Sequence, residues 1–342
     1  MKTTLHTILL FICLVTAIIS CKKPDVADKE TCKNLLTTNS PIRYRDSVFA
    51  NVDSIPNVFY RNAQNFDKVE ELKLDVYMPA GDTATLRACI IMMHGGAWDR
   101  KTPNIFSPPP GYGSGNRKDI RNNYIAYAKR GYVVISPSYR TGKDFRSGQS
   151  SADSLSKFYE AVYRAAQDSR AMLRFVKKNA IAGKIDVNKI FIGGGSAGAG
   201  TAINAVYLDQ SEIGNFFSNW GALDGNGIYD YPGYNLKVKG VLNIEGAIND
   251  KNYIDAGDPP MISAYGTEDG YYKDSITISS RLYPSLRFDN GQKIHQRFSQ
   301  LGINTPPIIL YLGKGHGAHG DPLILKNTIN VTSAWMYSLL QP

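Results

Sequence analysis

Short, unbroken apolar runs recur along this chain, each followed by a glycine-rich or polar turn and then by apolar positions at helical spacing. Leu72, Leu74, Val76 and Met78 alternate with polar residues, the period of a strand with one buried face. After the turn Pro79-Ala80-Gly81-Asp82, the run from Ala88 to Met93 is apolar throughout, as in a strand covered on both faces. Residues 118–130 read as a helix stopped by Gly131, and Tyr132 to Ser136 is the next strand. Leu155, Phe158, Val162, Ala165, Ser169, Leu173 and Val176 recur at spacings of three and four, which predicts a long amphipathic helix over 153–179. A strand over 189–193, a helix over 197–208, strands over 238–244, 261–265 and 307–312, and a last helix over 321–339 complete the pattern. Strand and helix keep alternating, so the fold class is α/β, a mostly parallel central sheet with helices on both faces. No internal repeat is visible.

The same patterning sets apart the beginning of the chain. Lys2 precedes an apolar run from Ile8 to Ile19, too short to span a bilayer and suited to the core of a signal peptide. Ile18-Ile19-Ser20-Cys21 resembles the lipobox of bacterial lipoproteins, and that resemblance implies cleavage before Cys21 and acylation of its thiol. The expected organisation is a signal peptide over 1–20, a lipidated flexible tether over 21–45, and a single α/β domain over 46–342. Such a protein would be exported, and held to the membrane of the cell envelope by its N-terminal lipid.

Two further segments break the rhythm. Residues 103–116, rich in proline, glycine and serine, read as an irregular loop. Residues 211–235 carry Phe216, Phe217, Trp220, Tyr229, Tyr231 and Tyr234 among glycines and asparagines, and are expected to form a lid or pocket wall.

Composition changes this picture little. With 43% hydrophobic and 20% charged residues, the chain can build an ordinary globular core. Its net charge of +9 comes from scattered residues rather than a patch, so it reads as a solvated surface and implies no nucleic-acid partner. Beyond the signal segment the cysteines are Cys21, Cys32 and Cys89, which form neither a disulfide framework nor a zinc spacing.

The chemistry concentrates at strand ends. Ile190-Phe191-Ile192 runs into Gly194-x-Ser196-x-Gly198 with a helical stretch behind it, the pattern that stands a serine clear of its backbone on a tight turn. The strand Ala88 to Met93 ends in His94-Gly95-Gly96-Ala97-Trp98, a loop suited to presenting backbone N–H groups. A serine hydroxyl needs a base, and the base an orienting acid. Of the five histidines, His6 lies in the signal segment, His94 opens the Gly-Gly loop and His295 sits in a polar helical stretch. His316 and His319 remain, both in the glycine-rich loop after the last apolar strand. For the acid, the strand Met261 to Tyr265 ends in Gly266-Thr267-Glu268-Asp269, with Asp269 preferred and Glu268 in reserve.

Taken in order, these motifs resemble the α/β-hydrolase superfamily, in particular its carboxylesterase and hormone-sensitive-lipase-like branch with acetyl- and feruloyl-esterase relatives. The resemblance covers about residues 67–340. It rests on Leu74 to Pro79, His94 to Trp98, Tyr132-Val133-Val134 with Ser138-Tyr139-Arg140, Asp186 to Gly198, Gly266 to Asp269, and Gly315-His316-Gly317. It implies the α/β-hydrolase fold and hydrolysis of carboxylic esters, of small molecules or polysaccharides, without a cofactor or metal. It further implies Ser196 as nucleophile, His316 as base and Asp269 as orienting acid. The oxyanion hole would come from the loop Gly95, Gly96 and Ala97 together with Ala197, and His94 would brace that loop. The chain departs from the pattern in three places: Ala97 stands where many relatives have a third glycine, Gly195 precedes the serine, and Asp269 lies unusually far from His316. The segment 270–306 between them looks like an insertion that shapes the pocket.

Other functions fit less well. A serine peptidase on this fold usually carries a further large domain, and an inactive hydrolase-like binding protein would not need the ordered partners. Gly193-x-Gly195-x-x-Gly198 also matches a dinucleotide-binding pattern, but no strand ending in Asp or Glu follows at the right distance. His316-x-x-His319 near Asp321 is a poor metal cage on a flexible glycine loop.

Overall fold

The computed structural model describes residues 40–65, 68–98, 125–142, 151–213, 223, 231–273, 276–278 and 286–342. Residues 42–342 form one compact unit. Its strands are β1 (Val52–Asn65), β2 (Lys68–Pro79), β3 (Arg87–Met93), β4 (Val133–Pro137), β5 (Ile185–Gly195), β6 (Gly240–Ile244), β7 (Met261–Gly266), β8 (Ile276–Ile278), β9 (Leu286–Phe288) and β10 (Ile309–Tyr311). Eight of them form one sheet in the order β1-β2-β4-β3-β5-β6-β7-β10, while β8 and β9 pair as a separate antiparallel ribbon. The β1–β2 and β2–β4 pairs are antiparallel, and every neighbouring pair from β4 to β10 is parallel. Among the described residues the helices with both ends visible are α1 (Ser151–Lys178), α2 (Ala197–Tyr207), α3 (Gly270–Lys273), α4 (Gly291–Gln300) and α5 (Pro322–Leu340), and residues 125–128 are also helical.

The unbroken apolar runs have a simple cause. β3, β4, β6 and β7 are buried along their whole length, and side chains alternate between the faces of a strand. Cys89, Ile91 and Met93 therefore join Val162, Leu173 and Ile203 of α1 and α2 in one core. Ala88, Ile90 and Met92 point the other way and join Tyr127, Tyr132, Ile329 and Met336 in a second core. Burying one such isoleucine contributes about 1.5–3 kcal/mol. Cys89 is buried and free, and burial pushes its thiol far above the usual range.

Where they are described, observed elements follow the expected ones with shifted ends; residues 118–124 of the expected 118–130 helix lie outside the described residues, and β1 and the short β8 and β9 were not anticipated. β1 contains Pro56 and Asn57 (φ 61) and breaks register twice against β2, so it shows no clean alternation. Its position at the sheet edge tolerates both, since no further strand requires the missing N–H. The folded unit begins earlier than the expected position 46. Residues 42–45 belong to the folded unit: Arg43 makes a two-pronged ion pair with Asp82 at 2.6–2.9 Å, and the Tyr44 N–H donates to the Arg130 carbonyl.

The expected lid is only partly described. Gln210–Glu212 forms a short 3-10 turn, and Leu223 is buried beside Tyr163 and Ala205. Tyr231 and Tyr234 reach back to Tyr60, Phe175 and Arg174. That contact lies toward the end of α1 that leads into β5, the sheet end opposite Ser196. The signal segment, Cys21, the loop over 103–116, and 214–222 and 224–230 of the lid lie outside the described residues. Among the described residues, no helix is long and apolar enough to cross a membrane.

Candidate active site

Ser196 is the single residue between the end of β5 and the start of α2, with φ 52 and ψ −120. A non-glycine residue in this region costs on the order of 1–3 kcal/mol and persists only where its surroundings impose it. Here the Ser196 N–H donates to the Ile244 carbonyl at 2.8 Å, and the Gly200 N–H donates to the Ser196 carbonyl at 3.0 Å. The flanking glycines are required by close approach. A Cβ on Gly198 would strike the Met93 and His94 carbonyls, and one on Gly194 would lie 2.6 Å from Gly198 and the Met93 carbonyl.

The structure brings the three expected side chains together. His316 Nε2 lies 2.8 Å from Ser196 Oγ, and His316 Nδ1 lies 3.1 Å from Asp269 Oδ2. A carboxylate only accepts, which assigns the imidazole proton to Nδ1 and leaves Nε2 to accept the serine hydroxyl. Asp269 is fully buried, and its Oδ1 accepts the Tyr271 N–H at 2.8 Å, so both oxygens are directed. Burial alone would lower the His316 pKa, but the hydrogen bond and charge of Asp269, with the charge of Glu245, take it above its ordinary value of 6.5. Glu268, the reserve acid, is exposed and paired with Lys273.

The loop after β3 is braced at both ends. The Tyr139 hydroxyl donates to the His94 carbonyl at 2.5 Å, and its ring stacks on the His94 imidazole at 4.3 Å. At the other end the Trp98 indole N–H donates to Thr201 Oγ1 at 2.8 Å, tying the loop to α2. Gly95 sits against Ser196, its position for a Cβ only 3.6 Å from the serine Cβ. Gly96 (φ 112), Ala97 (φ 52) and Trp98 (φ 56) all have positive φ, so alanine occupies a position that favours glycine. Gly96 and Ala97 are exposed, and the Ala197 N–H belongs to the first turn of α2, where backbone donors have no helical partner.

His319 does not touch the serine. Its Nδ1 lies 2.8 Å from Glu245 Oε2, close enough for an ion pair but not aligned as a hydrogen bond. Glu245 follows β6, is buried, has φ 58, and accepts the N–H groups of Gly317 and Ala318 at 2.7 Å each. Burial would raise its pKa, but His319, His316 and the Gly317 amide bring it below the usual carboxylate value. Sequence reasoning passed over this residue, although Ile244-Glu245-Gly246 carries the same strand-end signal that marked Asp269.

Glu245, Asp269 and His316 also place one potential metal-binding atom each within 4.8 Å of one another. In these residues the Glu245 oxygens accept from Gly317 and Ala318, the Asp269 oxygens face Tyr271 and His316 Nδ1, and His316 Nε2 faces Ser196 Oγ. The inserted segment contributes Tyr271, whose ring lies 4.9 Å from that of His316, and Phe288, which packs against Phe158.

With this geometry in place, comparison with known proteins is informative. The BD-FAE family model matches residues 74–252, more than half of the chain and including the His94 loop and Ser196 but neither Asp269 nor His316. No curated protein matches. Among solved structures, a thermophilic esterase (Est2) of the planctomycete Thermogutta terrifontis, bound to propionate, is similar in fold. Its TM-score is 0.52 at 19% identity, covering 85% of this chain and 94% of that one. The same esterase phosphorylated by paraoxon gives 0.52 at 19%, covering 87% and 98%. Esterase B from Lactobacillus rhamnosis, inhibited by a tributyrin phosphonate, gives 0.55 at 14%, covering 92% of each chain. The sheet and its helices are thus those of the α/β-hydrolase fold.

Proposed function

This chain belongs to the BD-FAE family, and we propose that it is a serine carboxylesterase with Ser196 as nucleophile, His316 as base and Asp269 as orienting acid. The observation that carries the proposal is the 2.8 Å approach of His316 Nε2 to Ser196 Oγ, with Asp269 behind the ring. As Oγ attacks the ester carbonyl carbon, its proton passes to Nε2 and the carbonyl oxygen becomes an oxyanion. The N–H groups of Gly96, Ala97 and Ala197 receive that charge, each being worth on the order of 3 kcal/mol to the transition state. The bond to the alcohol then breaks, the alcohol oxygen takes the proton from Nε2, and an acyl-enzyme remains. Water, deprotonated by the same imidazole, attacks it and releases the acid and the serine.

Structural relatives named as esterases, one bound to propionate and another inhibited by a tributyrin phosphonate, support small carboxylic esters as substrates. Tyr271, whose ring lies 4.9 Å from that of His316, brings an aromatic side chain to the site, and the proposal extends to acylated polysaccharide as a substrate class to be tested. Hydrolysis of p-nitrophenyl acetate by the wild type and by Ser196→Ala tests the reading; equal rates overturn it. Acetylated xylan and p-nitrophenyl esters of rising chain length then define the substrate.

The same proposal places the enzyme in the cell envelope as a lipoprotein anchored through Cys21. Its support is the lipobox-like Ile18-Ile19-Ser20-Cys21 after an apolar signal core. Labelled fatty acid should enter the wild-type chain and not Cys21→Ala; equal labelling of both would contradict it.

A further inference from the structure

β6 lies between β5, which carries Ser196 at its end, and β7, which leads to Asp269. Glu245 stands at the end of this intervening strand, and its two oxygens grip the two amides that follow His316 in the chain. Oε2 accepts from Gly317 and Oε1 from Ala318. Gly317 is in the left-handed region (φ 87), and Ala318 starts a 3-10 turn, so the grip lies where the chain reverses to present the imidazole. A buried carboxylate is costly unless hydrogen bonds and an opposite charge compensate it. Glu245 has the hydrogen bonds, from these amides, and the His319 imidazole lies 2.8 Å away. The residue also adopts a positive φ, a conformation retained only where several contacts impose it.

We propose that Glu245 is a positioning residue: it holds the Gly315–Gly320 loop so that His316 Nε2 meets Ser196 Oγ, and its charge favours the imidazolium that forms as the serine proton is taken. The inference rests on the serine-esterase reading above. Among the described residues, the titratable and charged groups around His316 include Asp269 after β7, Glu245 after β6, Tyr271 on α3, Ser196 before α2, and His319 on its own loop. Among the described residues Asp269 and Glu245 supply the negative charge, and both act to raise the His316 pKa.

Two variants of the full chain separate geometry from charge. Glu245→Gln keeps the shape, removes the charge, and turns an amide NH2 toward one of the two N–H groups. It should lower kcat by about 10- to 100-fold, as expected when a reacting group is displaced, with KM little changed. The acid limb of kcat/KM should move to lower pH. Glu245→Asp keeps the charge but falls short of the loop; it should lower kcat and leave the acid limb in place. Wild-type kcat and an unmoved limb in Glu245→Gln overturn the proposal. So does a fall in kcat that follows thermal stability with the limb unmoved, which would mark support of the fold alone. Should neither variant fold, hydrogen exchange on the wild type decides: protected amides at Gly317 and Ala318 uphold the clamp, and unprotected exchange overturns it. Ser196→Ala serves as the control. If it retains full activity, the esterase reading itself fails; if it is inactive while Glu245→Gln behaves as wild type, this inference alone fails.

Discussion

Replacing Thr201 by valine removes one hydrogen bond from the loop that carries the proposed oxyanion donors, while the volume of the side chain stays nearly the same. Thr201 is fully buried and Trp98 is 6% exposed, so the indole N–H would lose its 2.8 Å partner with little access to water. A buried donor left without an acceptor costs about 1–3 kcal/mol. The second bond of the Thr201 hydroxyl, to the Ala197 carbonyl, matters less because that carbonyl lies within the ladder of α2. Trp98 has little room to adjust: its ring approaches Gly200 closely and meets Phe158 edge-on at 5.5 Å. Relief therefore requires movement of the backbone at Ala97 and Trp98, which displaces the oxyanion N–H groups. If half of one donor's stabilisation of about 3 kcal/mol is lost, kcat falls about tenfold. Because that interaction forms only in the transition state, kcat and kcat/KM should fall together. Guanidinium unfolding and p-nitrophenyl acetate kinetics measure both parts. A variant destabilised by 1–3 kcal/mol but with unchanged kcat would refute the view that this bond holds the oxyanion loop.

Other expected outcomes follow from single contacts. Asp269→Asn should fold normally but lose kcat by a factor on the order of 10⁴, because the imidazole is no longer held with its proton on Nδ1; a loss below tenfold would remove Asp269 from the mechanism. Gly198→Ala drives a Cβ into the Met93 and His94 carbonyls, so the variant should show almost no hydrolysis; near-wild-type rates would show that the turn relaxes freely. The reaction needs neutral His316, whose pKa lies above 6.5, so kcat/KM should fall as pH drops through that higher value; an acid limb below pH 6 would contradict the electrostatics. Burial lowers the His295 pKa to about 4, so between 6.5 and 4 the unfolded chain binds the proton that the folded chain refuses. Stability should drop as pH falls through this window, by at most about 3 kcal/mol, and His295→Gln should flatten the slope; an unchanged slope would contradict this.

Much of the fold was legible because buried parallel strands require unbroken apolar runs, and Ala88 to Met93 supplies both faces of β3. β1 was hidden because an edge strand need not alternate cleanly and can carry Pro56 and two register breaks. At the site, Ser196 was marked by its glycines, which close approach to the Met93 and His94 carbonyls makes necessary. Asp269 and Glu268 were both candidates at a strand end, and burial separates them: the first is enclosed, the second pairs with Lys273 at the surface. Position in a glycine-rich loop left both His316 and His319 as candidates, and the family resemblance favoured His316; their directions depend on the left-handed Gly317 and the 3-10 turn between them. The partner of His319 is a residue more than seventy positions away, and only the sheet order brings it there.

The claim on which everything else depends is that the hydroxyl of Ser196 attacks the substrate. Intact-mass analysis and peptide mapping after brief exposure to paraoxon test it most directly. A single diethylphosphoryl group should appear on Ser196, be absent from Ser196→Ala, and form far more slowly in His316→Ala. Modification at another residue, or none in a chain that still hydrolyses esters, would contradict it.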